Sequence, residues 1–172
     1  MVTTMTIQPA AKDDLPAIAA LYLHNHREAY RGLLSEDYLS GLTAETCTEK
    51  WAAALSCPRE QLWVAREGDA LLGFAAGLPD EELPQTWYLE SLHVAEDARG
   101  RGVGTALIRE AARRAGEAGF RRMSVCIVRG NERAGTLYRK LGAAHRKYFE
   151  DAFGTERFAS EKLVWETLPT EA

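Results

Sequence analysis

The chain has 172 residues, of which 46% are hydrophobic and 27% are charged, with a formal net charge of −4. This length and composition predict one globular domain with a sizeable core and exclude a mainly disordered chain. The negative charge argues against nucleic acid or an anionic membrane as a partner. No apolar run reaches the roughly 18 residues of a spanning helix, and residues 1–10 lack the pattern of a signal peptide. We expect a single domain over 1–172, with its core over 4–166 and a frayed tail over 167–172.

Hydrophobic spacing and turn residues divide the first half of the chain into a strand, three helices and two strands. We expect, in chain order, a strand over 4–9, a helix capped at Asp13-Asp14, a short helix from Ser35, a helix capped by Thr43, and strands over 61–66 and 70–77.

The second half begins with a loop over 78–85, which has two prolines and three acids. After this loop we expect a strand over 87–94, a helix over 103–118, a strand over 121–128, a helix capped by Asn131, and a hairpin of 144–152 with 156–166. Strands and helices in this order indicate one α/β domain with a mixed sheet.

Cysteine and histidine patterns favour neither disulfides nor metal. Cys47, Cys57 and Cys126 cannot all pair within the chain, and none has metal-ligand spacing, so a reduced cytoplasmic setting is expected. Cys126 lies in an apolar run and is predicted to pack in the core. The four histidines are scattered, and no metal site is predicted.

The most informative stretch is Arg99-Gly100-Arg101-Gly102-Val103-Gly104-Thr105, which joins a predicted strand to a predicted helix. Glycines let a ligand approach the main chain, and free N–H groups at a helix start attract anions. The string is neither a Walker A loop nor a dinucleotide fingerprint, since Leu107 stands where the third glycine of the latter belongs. A plain glycine-rich turn is the structural alternative.

Three stretches resemble the GNAT superfamily of N-acetyltransferases. Arg99-x-x-Gly102-x-Gly104 matches the acyl-CoA loop [RQ]-x-x-G-x-[GA], and residues 90–94 look like the strand before it. Residues 131–143 resemble the block N-x-x-A-x-x-x-Y-x-x-x-G-F, with Ala143 in place of the usual Phe.

The resemblance implies a single-domain GNAT-like fold with a mixed, mostly antiparallel sheet of six to seven strands. It implies direct transfer of the acetyl group from acetyl-CoA to a primary amine in a ternary complex, without metal. The sheet should splay, often aided by a bulge, to admit the pantetheine arm. The resemblance assigns cofactor binding to Leu92, His93, Val94, Arg99, Gly100, Arg101, Gly102, Val103, Gly104, Thr105, Asn131 and Tyr138.

Two catalytic residues are implied. The family's matching tyrosine, here Tyr138, donates a proton to the leaving thiolate, although Tyr138 also suits the role of a core aromatic. Some family members use a glutamate at the place of Glu90 as general base, and an exposed or salt-bridged glutamate is the alternative. Strand alternation predicts that Glu90, Leu92 and Val94 share one face and that His93 lies on the other.

The acceptor is not identified by any motif beyond being an amine of a small molecule or a peptide N-terminus. Candidate wall residues are Tyr30, Tyr38, Trp87 and Tyr148, whose rings could hold an ammonium group. Residues 80–98 hold six acids and no Lys or Arg, whereas 99–122 hold seven arginines against two acids. We therefore expect Asp80, Glu81 and Glu82 to favour a cationic amine, and the arginines to attract the phosphates of coenzyme A.

Three further possibilities stay open. Many relatives form homodimers, and a homodimer is possible here. A non-catalytic acyl-CoA-binding or regulatory module could use the same fold. A nucleotide-binding protein of another fold is disfavoured by the two failed motifs.

Overall fold

The computed structural model describes residues 4–170. Within them the strands are β1 (Thr6–Pro9), β2 (Gln61–Glu67), β3 (Ala70–Pro79), β4 (Thr86–Val94), β5 (Arg122–Val128), β6 (Ala144–Phe153) and β7 (Glu156–Trp165). The α-helices of the same residues are α1 (Leu15–Tyr30), α2 (Glu36–Gly41), α3 (Ala44–Ser56), α4 (Val103–Glu117) and α5 (Glu132–Lys140). Each predicted element is present, with bounds that differ by a few residues.

The strands form one sheet in the order β1-β2-β3-β4-β5-β7-β6. Neighbouring strands are antiparallel except for β4 and β5, which are parallel. A parallel pair needs a crossover, and α4 supplies it. The predicted mixed, mostly antiparallel sheet is confirmed.

Helices cover both faces of the sheet. On one face, Leu107, Ile108 and Ala111 of α4 are completely buried against β3, β4 and β5. On the other face, Ile18 of α1 and Trp51 of α3 pack on β2 and β3. The apolar stripes expected from helical spacing therefore point into two separate cores.

Capping side chains set the helix starts. Thr43 and Ser35 accept hydrogen bonds from backbone N–H groups three residues ahead, as N-caps do. The start of α1 differs from prediction, because a 3-10 turn over Lys12–Asp14 precedes it. The Asp14 carboxylate accepts from Ala11 N at 2.7 Å and pairs with Arg66, so its charge is used to join the helix start to β2.

Part of the predicted tail contacts the rest of the domain. Leu168 packs against the α4 core and lies against Gly116, because the apolar side chain gains by leaving water. Residues 171 and 172 of the predicted frayed tail lie outside the described residues. None of the helices between residues 4 and 170 is both long and apolar enough to cross a membrane.

Candidate active site

A gap between β4 and β5 forms the centre of the site. The two strands pair only between Thr86–Leu89 and Arg122–Val125 and then diverge. A cavity of about 1030 Å³ fills the opening and extends to the start of α4 and to α5. We call it the cofactor cleft. The splay expected for a pantetheine arm is thus confirmed.

Main-chain groups of β4 face this cleft without a strand partner. Ala95 N donates to Leu72 O at 2.8 Å, so in the antiparallel β3–β4 register His93 and Ala95 turn their main-chain groups to β3. Leu92 and Val94 therefore turn theirs toward the gap. The Asn25 side chain donates to Val94 O at 2.9 Å and orients this edge, a contact that no sequence motif indicated.

The glycine-rich loop has the geometry of an anion site. Gly100 and Gly102 have φ of +78° and +80°, in the left-handed region that favours glycine. Gly102 is the N-cap of α4, and the first intrahelical bond is donated by Ala106, so the preceding N–H groups at the helix start are free for a ligand. A Cβ on Gly104 would lie 3.3 Å from the Leu137 side chain, so glycine keeps the cleft open here.

The two loop arginines differ in their surroundings. Arg99 lines the cofactor cleft, as expected for a phosphate ligand. Arg101 instead donates to Glu67 of β2 at 2.6 Å and does not line the cleft. The predicted cofactor-binding role of Arg101 remains a prediction that this geometry does not favour.

Replacing Gly102 by alanine tests the loop. The left-handed φ should cost the variant about 1 kcal/mol in stability, although the Cβ itself meets no atom within 4 Å. We expect roughly tenfold weaker binding of coenzyme A in calorimetry, since the N–H groups at the α4 start would move. Ala106→Ser, beyond the loop, is the matched control. Unchanged affinity in Gly102→Ala would mean that the loop backbone does not bind the phosphates.

Glu90 lies on the face opposite to the one predicted. A β-bulge between β3 and β4 sets Ala76 against Ser91 and Gly77 against Leu89, so Glu90 is the extra residue. The bulge shifts the alternation by one, and the prediction that Glu90 shares a face with Leu92 and Val94 is wrong. Its carboxylate lies 3.5 Å from Lys50 Nζ of α3 and accepts from Ser91 Oγ at 2.9 Å. Glu90 is therefore on the side of α1 and α3, together with His93.

Tyr138 faces the cofactor cleft from α5. Its ring packs edge-on against Trp165 at 5.7 Å between centroids, and only 6% of the residue is exposed. Burial, and secondarily Tyr30, raises the pKa of its phenol, so the hydroxyl holds its proton. Asn131 caps α5 by accepting from Ala134 N, and it lines the same cleft. Tyr138 thus packs as a core aromatic and also lines the cleft, and its role as general acid remains a prediction.

A wall of aromatic rings and two histidines closes the α1 side of the cleft. His26 is 3% exposed and forms a 3.1 Å hydrogen bond with the Tyr38 hydroxyl. His93 stacks on Phe74 and meets Tyr22 edge-on. Burial, with help from nearby cations, lowers the pKa of His26 to about 4 and that of His93 to about 3. Both imidazoles are therefore neutral at pH 7.

The buried His26 predicts a loss of stability in mild acid. Unfolded histidine takes up a proton below about pH 6.5, whereas folded His26, with a pKa of about 4, does not. The contribution of His26 to the free energy of unfolding is therefore fully present above about pH 6.5. It falls as the pH is lowered, by about 2 kcal/mol at pH 5. Urea unfolding of His26→Gln at pH 7.5 and pH 5 should show a pH difference smaller by that amount. The exposed His24→Gln on the same helix should keep the full difference, and an unchanged difference in His26→Gln would refute this origin.

A second cavity, of about 560 Å³, lies on the other side of the gap. We call it the acceptor cavity; α3, β3, β4, β6 and β7 contribute to its walls. Glu90 of β4 and Cys126 of β5 line both cavities, so the two meet across the gap. The prediction that Cys126 simply fills the core is wrong, because the diverging strands leave it half-buried between the cavities.

The three acids of the loop before β4 are already neutralised. Lys162 of β7 lies 2.8 Å from Asp80 and 3.2 Å from Glu82. Glu81 lies 3.6 Å from Arg59. Because these acids are already paired with cations, little unpaired negative charge remains on the loop. The hypothesis that the loop acids attract the amine is therefore not favoured. The lysine that pairs with them lies about eighty residues further along the chain, so no local pattern reveals the pairing.

The predicted aromatic wall residues are divided among different places. Tyr30 lines the cofactor cleft, and Tyr38 stacks on Phe153 beside it. Trp87 is 2% exposed within the α4 core, because odd positions before the bulge face α4. Tyr148 is 57% exposed, with the Arg129 guanidinium over its ring. Neither Trp87 nor Tyr148 lines either cavity, and contact of these two with the acceptor is not favoured.

The cleft fits coenzyme A in its chemistry. It offers free helix N–H groups and Arg99 for phosphates, and a main-chain edge at Leu92 and Val94 for an extended amide arm. Within residues 4–170 no group of three or more metal-ligating side chains is present.

Comparison with known proteins agrees with this chemistry. A family model described as Acetyltransferase (GNAT) family matches residues 21–143. The chain is 26% identical over 130 residues to an uncharacterized N-acetyltransferase, YuaI, of Bacillus subtilis, covering 74% of this chain and 73% of that protein. It is 29% identical over 83 residues to the L-2,4-diaminobutyric acid acetyltransferase of Shouchella clausii, covering 48% of this chain and 47% of that protein.

Among solved structures, the fold is similar to that of the PaiA N-acetyltransferase of Thermoplasma acidophilum in complex with coenzyme A. The TM-score is 0.74 at 19% identity, over 92% of this chain and 99% of that one. With a family model that covers most of the chain and a cleft whose free amides and strand edge suit the cofactor, the protein belongs to the GNAT acetyltransferase family and uses acetyl-CoA as its co-substrate.

Proposed function

We propose that the protein is an N-acetyltransferase that transfers the acetyl group of acetyl-CoA to a primary amine of a small molecule or peptide, by direct attack in a ternary complex. The observation that carries this proposal is the meeting of two cavities at Glu90 and Cys126. A cofactor in one and an acceptor in the other would approach each other across the β4–β5 gap. The name of the Shouchella clausii relative, an acetyltransferase of a diamino acid, supports nitrogen as the acceptor atom.

On the cofactor side, acetyl-CoA supplies a thioester whose carbonyl carbon is open to attack. Arg99 and the N–H groups of Val103, Gly104 and Thr105 would hold its phosphates. The main-chain groups of Leu92 and Val94 would pair with the arm, and an N–H of this edge would polarise the acetyl carbonyl.

On the acceptor side, Glu90 would accept a proton from the ammonium group, directly or through a water, because its carboxylate borders both cavities. The Tyr138 phenol, which burial keeps protonated, would donate to the sulfur as the thiolate leaves. Lys50, 3.5 Å from Glu90, would orient the carboxylate before the amine arrives. Three unpaired thiols in the structure support a reducing, cytoplasmic setting.

A screen of amines for release of free thiol from acetyl-CoA tests the proposal, with mass spectrometry of the product. We expect at least one amine to gain ~42 mass units, which is the mass of an acetyl group less the hydrogen that it replaces. The amount of acetylated product should equal the amount of thiol released. Tight binding of acetyl-CoA without turnover on any amine would instead favour the non-catalytic acyl-CoA-binding module. Transfer to hydroxyl acceptors alone would overturn the choice of nitrogen.

A further inference from the structure

The charge lining the acceptor cavity does not balance. The lining holds three lysines, Lys50, Lys147 and Lys162, and six carboxylates, which are Glu60, Asp80, Glu81, Glu82, Glu90 and Asp151. Arg59, which does not itself line the cavity, pairs with Glu81, so the carboxylates exceed the cations by two. Apolar side chains, Leu78 and Phe149 among them, occupy the wall between the charges. A cavity of this size suits a small molecule rather than a folded surface.

Each lysine of the cavity is already bound to a carboxylate. Lys162 is 7% exposed in its side chain and bridges Asp80 and Glu82, while Lys147 also contacts Glu82. Lys50 lies beside Glu90. A ligand carboxylate would have to displace one of these protein carboxylates, so the cavity is poorly suited to an acceptor that carries an acidic group.

Two carboxylates, by contrast, have no cationic partner. In the part of the chain that the structure describes, no Lys, Arg or His lies within 4 Å of Glu60 or Asp151 in an ion pair. Burial and the charge of Glu90 raise the pKa of Glu60, and Asp151 helps to raise the pKa of Cys126. Both carboxylates are thus within electrostatic reach of the gap where the cavities meet, and they come from different elements.

We propose that the acceptor is a small diamine or related dication, whose reacting nitrogen lies at Glu90 and whose second cationic group is held by Glu60 and Asp151. This inference rests on the proposed N-acetyltransferase function and names its substrate class. The apolar wall would contact the methylene chain between the two nitrogens. The second cation would restore the charge that the lysines leave unbalanced.

Steady-state kinetics with three acceptors of equal chain length test the proposal: 1,4-diaminobutane, n-butylamine and 4-aminobutanoate. We expect kcat/KM for the diamine to exceed that for butylamine by about 30-fold at low ionic strength, and less in 0.5 M salt because of screening. The aminobutanoate should be the poorest acceptor. Glu60→Gln and Asp151→Asn should each lower kcat/KM for the diamine about tenfold and leave butylamine within about twofold.

Glu117→Gln, an exposed charge change on α4 away from both cavities, is the matched control and should change neither acceptor. Coenzyme A affinity of the Glu60 and Asp151 variants should match the wild type, which shows that they fold. Equal rates with diamine and butylamine, or a preference for the aminobutanoate or for a lysine-containing peptide, would overturn the dication proposal while acetyl transfer to nitrogen still stands. Failure of every amine would overturn the proposed function itself.

Discussion

Tyr138→Phe should lower kcat for amine acetylation about 100-fold at pH 7, the size expected when a general acid is removed. The change deletes one hydroxyl and keeps the ring that packs on Trp165. The phenol makes no hydrogen bond to any residue between 4 and 170, so its proton is available to the leaving sulfur. The affinity for coenzyme A should stay within about twofold of the wild type, because other residues, at the edge of β4 and at the start of α4, would hold the pantetheine arm and the phosphates.

Timed assays of thiol release measure kcat, and calorimetry measures the affinity for coenzyme A. Tyr148→Phe removes the same hydroxyl from a ring outside both cavities and should retain the wild-type kcat. A wild-type kcat in Tyr138→Phe would show that Tyr138 is not the general acid. A loss of cofactor affinity as large as the loss of kcat would instead assign Tyr138 to binding.

Glu90→Gln should lower kcat/KM about 100-fold at pH 7 and change the pH profile. Glutamine keeps the size of the side chain but cannot take a proton from the ammonium group. The variant should recover as pH rises toward 10, since the free amine of the acceptor then needs no base. The recovery is the signature of a lost base, because a purely structural defect would lower the rate at every pH.

A pH–rate profile of kcat/KM from pH 6 to pH 10 gives this comparison. Lys50→Met serves as a second variant, because it removes the cation beside Glu90 without removing the carboxylate. Its profile should keep the wild-type shape with a smaller change in rate. A Glu90→Gln profile parallel to that of the wild type would show that the base is another group or water.

The cofactor side of the site could be predicted from local sequence. The phosphate loop needs glycine where the backbone takes a left-handed φ, and it needs a helix start directly after a strand; both conditions lie within Arg99–Thr105. Asn131 and Tyr138 lie on one short helix, so their spacing fixes their relation. These features depend on residues close in sequence.

The acceptor side could not be predicted in the same way. The face of Glu90 depends on a bulge, which exists only where β3 and β4 meet with a one-residue mismatch. The loop acids before β4 look free in the sequence, yet Lys162 of β7 neutralises Asp80 and Glu82. Glu60 and Asp151 carry no motif at all, and only the cavity brings them into one place.

The element order, the caps and the glycine-rich loop could therefore be predicted from the sequence, because short-range backbone preferences encode them, and the motifs of residues 99–104 and 131–143 carry the family resemblance. Only the tertiary structure shows which side chains line the second cavity and which of their charges have no ion-pair partner. Those outcomes depend on strand register and on ion pairs between distant segments, and a one-residue shift in register exchanges the two faces of a strand. The net charge of −4 gives no sign of this arrangement, in which Arg99 is the one arginine of the segment 99–122 that lines the cofactor cleft, and six carboxylates line the acceptor cavity.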